Sequence, residues 1–250
     1  MQQFFAEPSR IREGQAVLEG ADVNHMKNVL RMRQGEEVKI SDGEGKVYRC
    51  RVGAYEDGRA VLDILEELEA DTELPSEIWL FQGLPKGDKM DWIVQKAVEL
   101  GVYRIVPFRA SRSVVKLDEK KAGKKCGRWQ TVAKGAAEQS GRGLIPEVGQ
   151  VQDFREALRT AGSLDRILIP YELERGMAET VKVIEDIAPG QSVGIFIGPE
   201  GGFEKEEIEL AVQHGAVPVS LGKRILRTET AGLTALSILM YHLESRNHSL

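Results

Sequence analysis

Val193-Gly194-Ile195-Phe196-Ile197 runs directly into Gly198-Pro199-Glu200-Gly201-Gly202, and residues 204–214 then carry helical spacing. An unbroken apolar run that ends in a glycine cluster reads as a buried strand bringing backbone close to a ligand. Working outward, residues 78–81, 103–108, 166–170 and 217–220 read as further strands. Helices are predicted over residues 118–140, 177–187 and 229–245. Another begins at a cap on Asp88, buries Met90, Ile93, Val94, Ala97 and Val98 on one face, and stops at Gly101. Strands that alternate with helices predict a mostly parallel sheet with helices on both faces, whose ligands sit beyond the strand carboxyl ends.

The first seventy residues have a different rhythm. Residues 38–40, 47–52 and 60–65 cluster as strands around turn signals at Ser41-Asp42-Gly43 and Asp57-Gly58. One helix is predicted over residues 22–32, capped by Asp22 and closed by Gly35. The acidic stretch 66–73, ended by Leu74-Pro75-Ser76, reads as a linker. The expected organisation is therefore a small β-rich domain over residues 1–72 and an α/β domain over residues 73–250.

Composition excludes several classes. Hydrophobic residues at 42% and charged residues at 29% describe a globular chain. Met1-Gln2-Gln3-Phe4-Phe5 lacks the look of a signal peptide, and the apolar run 231–243 is broken by Thr234, Ser237 and His242. A cytoplasmic protein without a membrane partner is expected. Cys50 and Cys126 form no CxxC pair, and His25, His214, His242 and His248 show no HExxH spacing, so idle thiols and no metal are expected.

The net charge of −5 argues against a nucleic-acid partner, but its distribution reverses that reading. Between Arg104 and Arg142 stand eleven Lys and Arg residues, Lys116 among them, against Asp118, Glu119 and Glu138. Such a run is a solvated helix face or a phosphate-binding surface. Trp129, beside Arg128, either stacks on a base or anchors its helix.

The ligand at the glycine loop can be argued from charge. A phosphate wants a bare helix N-terminus or nearby cations, whereas Glu200, Glu204, Glu206 and Glu207 crowd this one. In Gly83-Leu84-Pro85-Lys86-Gly87-Asp88-Lys89-Met90 the Lys and hydroxyl positions of a P-loop are missing, and no GxGxxG is present. A second loop, Leu221-Gly222-Lys223-Arg224-Ile225-Leu226-Arg227-Thr228-Glu229-Thr230-Ala231, also leaves a strand for a helix. It reads as a cap with Thr228 at the N-cap, or as a site in which Ile225 and Leu226 line an adenine pocket with Arg227 and Glu229 at its mouth.

Four separated segments together resemble the RsmE family of SPOUT-class methyltransferases: residues 196–203, residues 221–231, Lys96-Ala97-Val98-Glu99-Leu100-Gly101-Val102 and Glu138-Gln139-Ser140-Gly141-Arg142. Residues 25–33 with Gly35-Glu36 look like that family's PUA-like RNA-binding module, so the likeness covers almost the whole chain. It implies a C-terminal trefoil-knotted sheet behind a small PUA-like β-barrel, a homodimer, and S-adenosyl-L-methionine as cofactor. The implied reaction is methylation of N3 of a uridine, position 1498, in 16S ribosomal RNA of the small subunit.

By the same likeness the cofactor contacts are Ile197, Gly198, Pro199, Glu200, Gly201, Gly202, Leu221, Gly222, Ile225, Leu226, Thr230 and Ala231, with Leu168, Ile169 and Pro170 as a third loop. Because a uridine N3 proton must leave, Glu229 is the expected base and Arg227 the expected partner of the developing anion; Glu138 or Arg142 from a neighbouring subunit are the alternatives. Expected RNA contacts are Arg10, Arg12, Arg31, Arg33, Arg112, Lys120, Lys121, Lys124, Lys125, Arg128 and Arg142. Two competing readings remain open: a methyltransferase acting on another RNA such as tRNA, and a ribosome assembly factor without turnover.

Overall fold

The computed structural model describes residues 1–115, 117–171 and 176–247; Lys116 of the basic run and His248 lie outside the described residues. The chain divides into two compact units, Met1–Glu73 with Ala137–Ile145, and Leu74–Ala136 with Pro146–Leu250. Besides the crossing near residue 73, the chain therefore returns to the first unit for one short segment.

The first unit is a six-stranded sheet of β1 (Gln3–Phe5), β2 (Ile11–Arg12), β3 (Gln15–Glu19), β4 (Glu37–Ser41), β5 (Val47–Glu56) and β6 (Arg59–Leu68). Its order is β1-β4-β5-β6-β3-β2, antiparallel except for β1 against β4. Asp57 and Gly58, at φ of 47° and 75°, close the β5–β6 hairpin as the paired left-handed turn that its Asp-Gly dipeptide predicts. Phe4, Met26, Val38, Ile40, Val52 and Leu62 fill the core.

The helix expected over residues 22–32 is shorter. Helix α1 (Ala21–Asn24) passes at once into a π-turn over His25–Val29, and Arg31, at φ 56°, turns the chain away. Asn24, Asn28 and Val29 are weak helix formers, and the wider turn buries Met26 completely while Val29 stays exposed. Asp22 thus sits inside the first turn, with Gly20 in the cap position, and Gly35 instead donates its amide to Val52 O at 2.8 Å.

The acidic linker is also corrected. Glu66 and Glu67 belong to β6, and Arg49 holds Glu66 at 2.8 Å. Glu73 receives the guanidinium of Arg142, which is only 3% exposed, and accepts the amides of Gly143 at 3.1 Å and Leu144 at 3.3 Å. Gln3 Nε2 donates to Arg142 O at 2.6 Å, and Ser41 Oγ to Gly143 O at 2.7 Å. A buried charge needs such complete pairing, which is why the returning segment is stitched through side chain and backbone alike.

The second unit holds an entirely parallel sheet: β7 (Ile78–Gly83), β8 (Arg104–Arg109), β9 (Glu147–Val148), β10 (Gln152–Asp153), β11 (Arg166–Pro170), β12 (Val193–Ile197) and β13 (Ala216–Val219). The order is β10-β8-β7-β12-β11-β13, with β9 added to β8. The helices are α2 (Lys89–Glu99), α3 (Glu119–Ser140), whose last residues from Ala137 belong to the first unit, α4 (Phe154–Ala161), α5 (Ala178–Glu185), α6 (Lys205–Gln213) and α7 (Thr228–Asn247). Phe81, Phe108 and Phe196 face α4 and α6 through Phe154, Leu158, Ile208 and Ala211, with the Phe81 and Phe196 rings stacked at 4.3 Å. Neighbouring residues in a strand point oppositely, and Leu80 and Ile197 meet Gly232 of α7, which packs on α2. Both faces are therefore covered. No helix among the described residues is long and apolar enough to cross a membrane.

Candidate active site

Because β7, β11, β12 and β13 are parallel, their carboxyl ends lie along one edge, and there the structure opens a cleft of about 400 Å³. The cleft gathers Pro170, Ile197, Gly198, Pro199, Glu200, Gly201, Gly202, Leu221, Gly222, Ile225, Leu226, Arg227 and Ala231 from the expected set. Lys89, Tyr171, Phe203, Ser220, Lys223, Arg224 and Thr228 line it as well, beyond that set. Of these, Phe203, Lys223, Arg224 and Thr228 lie inside the two loop segments legible in the sequence, and Lys89 sits at the first turn of a helix that starts beyond a strand end.

Four expected site residues lie elsewhere. Leu168 and Ile169 are interior residues of β11, 2% and 0% exposed, so only the strand's last residue, Pro170, reaches the cleft. Thr230 points from α7 into a separate apolar groove with Trp92, Ile238 and Tyr241. Glu229 is not in the cleft wall; it is three-quarters or more buried beside it, with Oε2 at 3.4 Å from Lys89 Nζ.

Local chemistry explains the shape of the first loop. Gly202 adopts φ 68° and donates to Pro199 O at 2.9 Å, a turn that a side chain would strain. At Gly201 a Cβ would lie 2.9 Å from Arg112 Cβ, so only glycine lets the chain pass. Of the acidic residues that argued against phosphate, Glu200, Glu204 and Glu207 are staples. Glu200 accepts Lys86 N at 3.1 Å and Lys89 Nζ at 2.9 Å. Glu207 accepts Glu204 N at 2.9 Å and Ser111 N at 2.8 Å. Partial burial pushes the Glu200 carboxyl up, but the Lys89 hydrogen bond and the amides of Glu200 and Lys86 outweigh it, leaving the group below its ordinary range. The bond to Glu200 in turn holds the Lys89 ammonium above its ordinary value.

Thr228 does not cap α7. It is the first helical residue, its hydroxyl donates to Gly198 O at 2.7 Å, and it accepts Gln82 Nε2 at 2.9 Å. Thr230 and Ala231 donate their amides to Arg227 O, so the chain before Thr228 supplies the cap by backbone.

The expected RNA contacts separate into groups. Arg12, Arg31, Arg33, Lys120, Lys121 and Lys124 are exposed. Arg10 pairs with Glu19 at 2.8 Å, Arg128 with Asp91, and half-buried Lys125 lies 6.0 Å over the Trp129 ring. Arg112 grips both carboxylate oxygens of Glu204 at 2.8 Å and Gly201 O at 3.0 Å, which commits it to the glycine loop. Arg142, buried on Glu73, is a correction: it is no surface contact, because its charge is spent inside the first unit. Trp129, 2% exposed, anchors α3 and offers no ring to a base. Burial pushes the Cys50 thiol up to about 12 and raises Cys126 as well.

Among the described residues no group of three or more His, Cys, Asp or Glu is placed to hold a metal.

Known proteins resemble this chain in sequence and fold. Residues 72–240 match the model of an RNA methyltransferase domain, and residues 18–65 that of an RNA methyltransferase PUA domain. The chain is 38% identical to the ribosomal RNA small subunit methyltransferase E of Bacillus subtilis, covering 98% of each chain. It is 34% identical to the protein of the same name from Synechocystis, over 95% of this chain and 77% of that one. The crystal structure of a ribosomal RNA small subunit methyltransferase E from Neisseria gonorrhoeae bound to S-adenosyl methionine superposes with a TM-score of 0.85 at 36% identity, covering 96% of this chain and 97% of that one.

Proposed function

The chain belongs to the ribosomal RNA small subunit methyltransferase E (RsmE) family, and from that premise we propose that it methylates N3 of a uridine, position 1498, in 16S ribosomal RNA, using S-adenosyl-L-methionine. The observation that carries the reading is the cleft itself, where two loops from different strand ends meet. The residues present fit that cofactor. Gly198, Gly201, Gly202 and Gly222 offer backbone rather than side chain, and Ile225 and Leu226 offer apolar cover.

When bound, the cofactor supplies an activated methyl group, so the chain's own task is alignment and handling of the uridine proton. Glu229, beside the cleft wall rather than in it and with Oε2 at 3.4 Å from Lys89 Nζ, is the proposed acceptor of that proton. Arg227, exposed on the cleft wall, stabilises the charge that develops on a uridine carbonyl oxygen. In this reading residues 1–72, completed by the returning segment 137–145, form the RNA-binding module, the remainder of residues 73–250 the methyltransferase module with its knot, and the working form is a cytoplasmic homodimer acting on the small subunit.

The test is calorimetric titration with S-adenosylmethionine, then transfer of labelled methyl to small ribosomal subunits with mapping of the modified base. Absence of binding removes the enzyme reading, and a methyl on another base or RNA removes the substrate. Reversing the charges of Lys120, Lys121, Lys124 and Lys125 should weaken RNA binding and flatten its salt dependence by about 0.7 for each phosphate no longer neutralised. An unchanged salt slope would take α3 out of the RNA surface.

A further inference from the structure

Gln82, at the end of β7, is wholly buried and belongs to no part of the reaction described so far. Its Nε2 donates twice, to Gly83 O at 3.0 Å and to Thr228 Oγ1 at 2.9 Å. The Thr228 hydroxyl, with that lone pair occupied, spends its hydrogen on Gly198 O at 2.7 Å. The chain of bonds therefore has one direction, from strand β7 through the first residue of α7 to the first residue of the glycine loop, and such chains reinforce each link.

Two observations show that the amide is present for its donors. Gln82 Oε1 has no hydrogen-bond partner among the described residues, a cost that an apolar side chain of similar volume would avoid. Turning the amide over would set Oε1 against Gly83 O, acceptor against acceptor, so the orientation is fixed. The adjoining residue completes the bed: a Cβ at Gly83 would lie 2.7 Å from Pro199 N, so the Gly198–Pro199 peptide rests directly on the strand end.

We propose that Gln82 and Thr228 are positioning residues of the cleft, which fix the Gly198 peptide in the orientation that receives the cofactor. The inference rests on the cofactor reading above. Neither residue takes part in methyl transfer; each acts through the backbone of the loop.

Three variants of the full chain, T228V, T228S and Q82L, test it by titration with S-adenosylmethionine, methyl-transfer kinetics and thermal unfolding. T228V and Q82L each remove two buried hydrogen bonds of the chain and should raise the cofactor Kd about tenfold or more. The cofactor KM should rise more than kcat falls, and T228S, which keeps the hydroxyl, should restore binding to within about threefold of the parent. Q82L also removes the unpartnered acceptor, so its unfolding temperature should stay near that of the parent while its affinity drops, a combination that a purely structural role does not produce. Should T228V not fold, Q82L and T228S still decide the matter. Parent-like affinity in Q82L, or in T228V, overturns the inference alone. Absence of binding by the unsubstituted chain overturns the cofactor reading and this inference with it.

Discussion

Residues 198–202 and 221–227 line one cleft, yet they are held in opposite ways. In the first loop Gly198 O, Gly201 O, the Glu200 carboxylate and Gly202 N all have partners. The second is tied at its root, where Ser220 N donates to Thr180 Oγ1 at 2.9 Å and Gly222 N to Ser220 Oγ at 3.3 Å. Beyond it, no hydrogen bond or ion pair reaches residues 223–226 among the described residues, and Ile225 is 87% exposed. One wall is braced by its own bonds, and the other, beyond its root, stands without them among the described residues. A rigid wall lowers the ordering cost of binding, while a free wall lets ligand enter and leave.

That contrast can be broken most strongly at the strand under the rigid wall. Gly83→Ala forces a Cβ against backbone at Pro199, and overpacking of this kind costs about 1–3 kcal/mol, so cofactor affinity should fall by up to about 150-fold, and by at least about fivefold, by calorimetry. Ile225→Ala probes the free wall. It removes a side chain that is exposed without ligand, so affinity should drop about five- to tenfold while the unfolding temperature stays unchanged. Arg112→Ala releases Gly201 O and Glu204 at the exposed side of the rigid wall and should weaken cofactor binding by no more than about fivefold. If it instead abolishes RNA binding with cofactor affinity intact, Arg112 serves RNA after all.

The smallest expected effect is that of pH. The Glu200 carboxyl is held below its ordinary value of 4.5, so its contribution is complete above that value and is lost only as pH falls through the lowered folded value. Lys89, held above its ordinary value of 10.5, keeps its charge at neutral pH. Cofactor affinity measured between about pH 6 and 8 should accordingly be flat with respect to these two groups; a steep change there would assign the titration to another group.

Local pattern carried much of this architecture. Strands β11 and β12 and the two glycine-bearing loops were legible because apolar runs and turn residues are local signals. What escaped depends on partners distant in sequence. Strands β9 and β10 have two residues each, too few to show a period, and β1 to β3 gain their identity from pairing. Helix α4, absent from the expected elements, carries local cues all the same: an Asp-x-x-Glu spacing in which Asp153 accepts Glu156 N at 2.8 Å, and Phe154, Ala157, Leu158 and Ala161 at i, i+3, i+4 and i+7. Arg142 reads as one more surface cation until Glu73, 69 positions away, is seen beside it. Gln82 and Thr228 are 146 positions apart, and nothing in either neighbourhood announces the bond.

The returning segment Ala137–Ile145 bears on the order of events during synthesis. The first unit leaves the ribosome with Gln3, Ser41 and Glu73 still lacking the groups that Arg142, Gly143 and Leu144 bring. Those groups emerge roughly seventy residues later, and at roughly 5–20 residues per second the wait is about 4 to 14 s. A nascent chain stalled or a fragment cut near residue 73 therefore holds an incomplete unit with an unpaired carboxylate, and the RNA-binding half matures only once much of the methyltransferase half has been made.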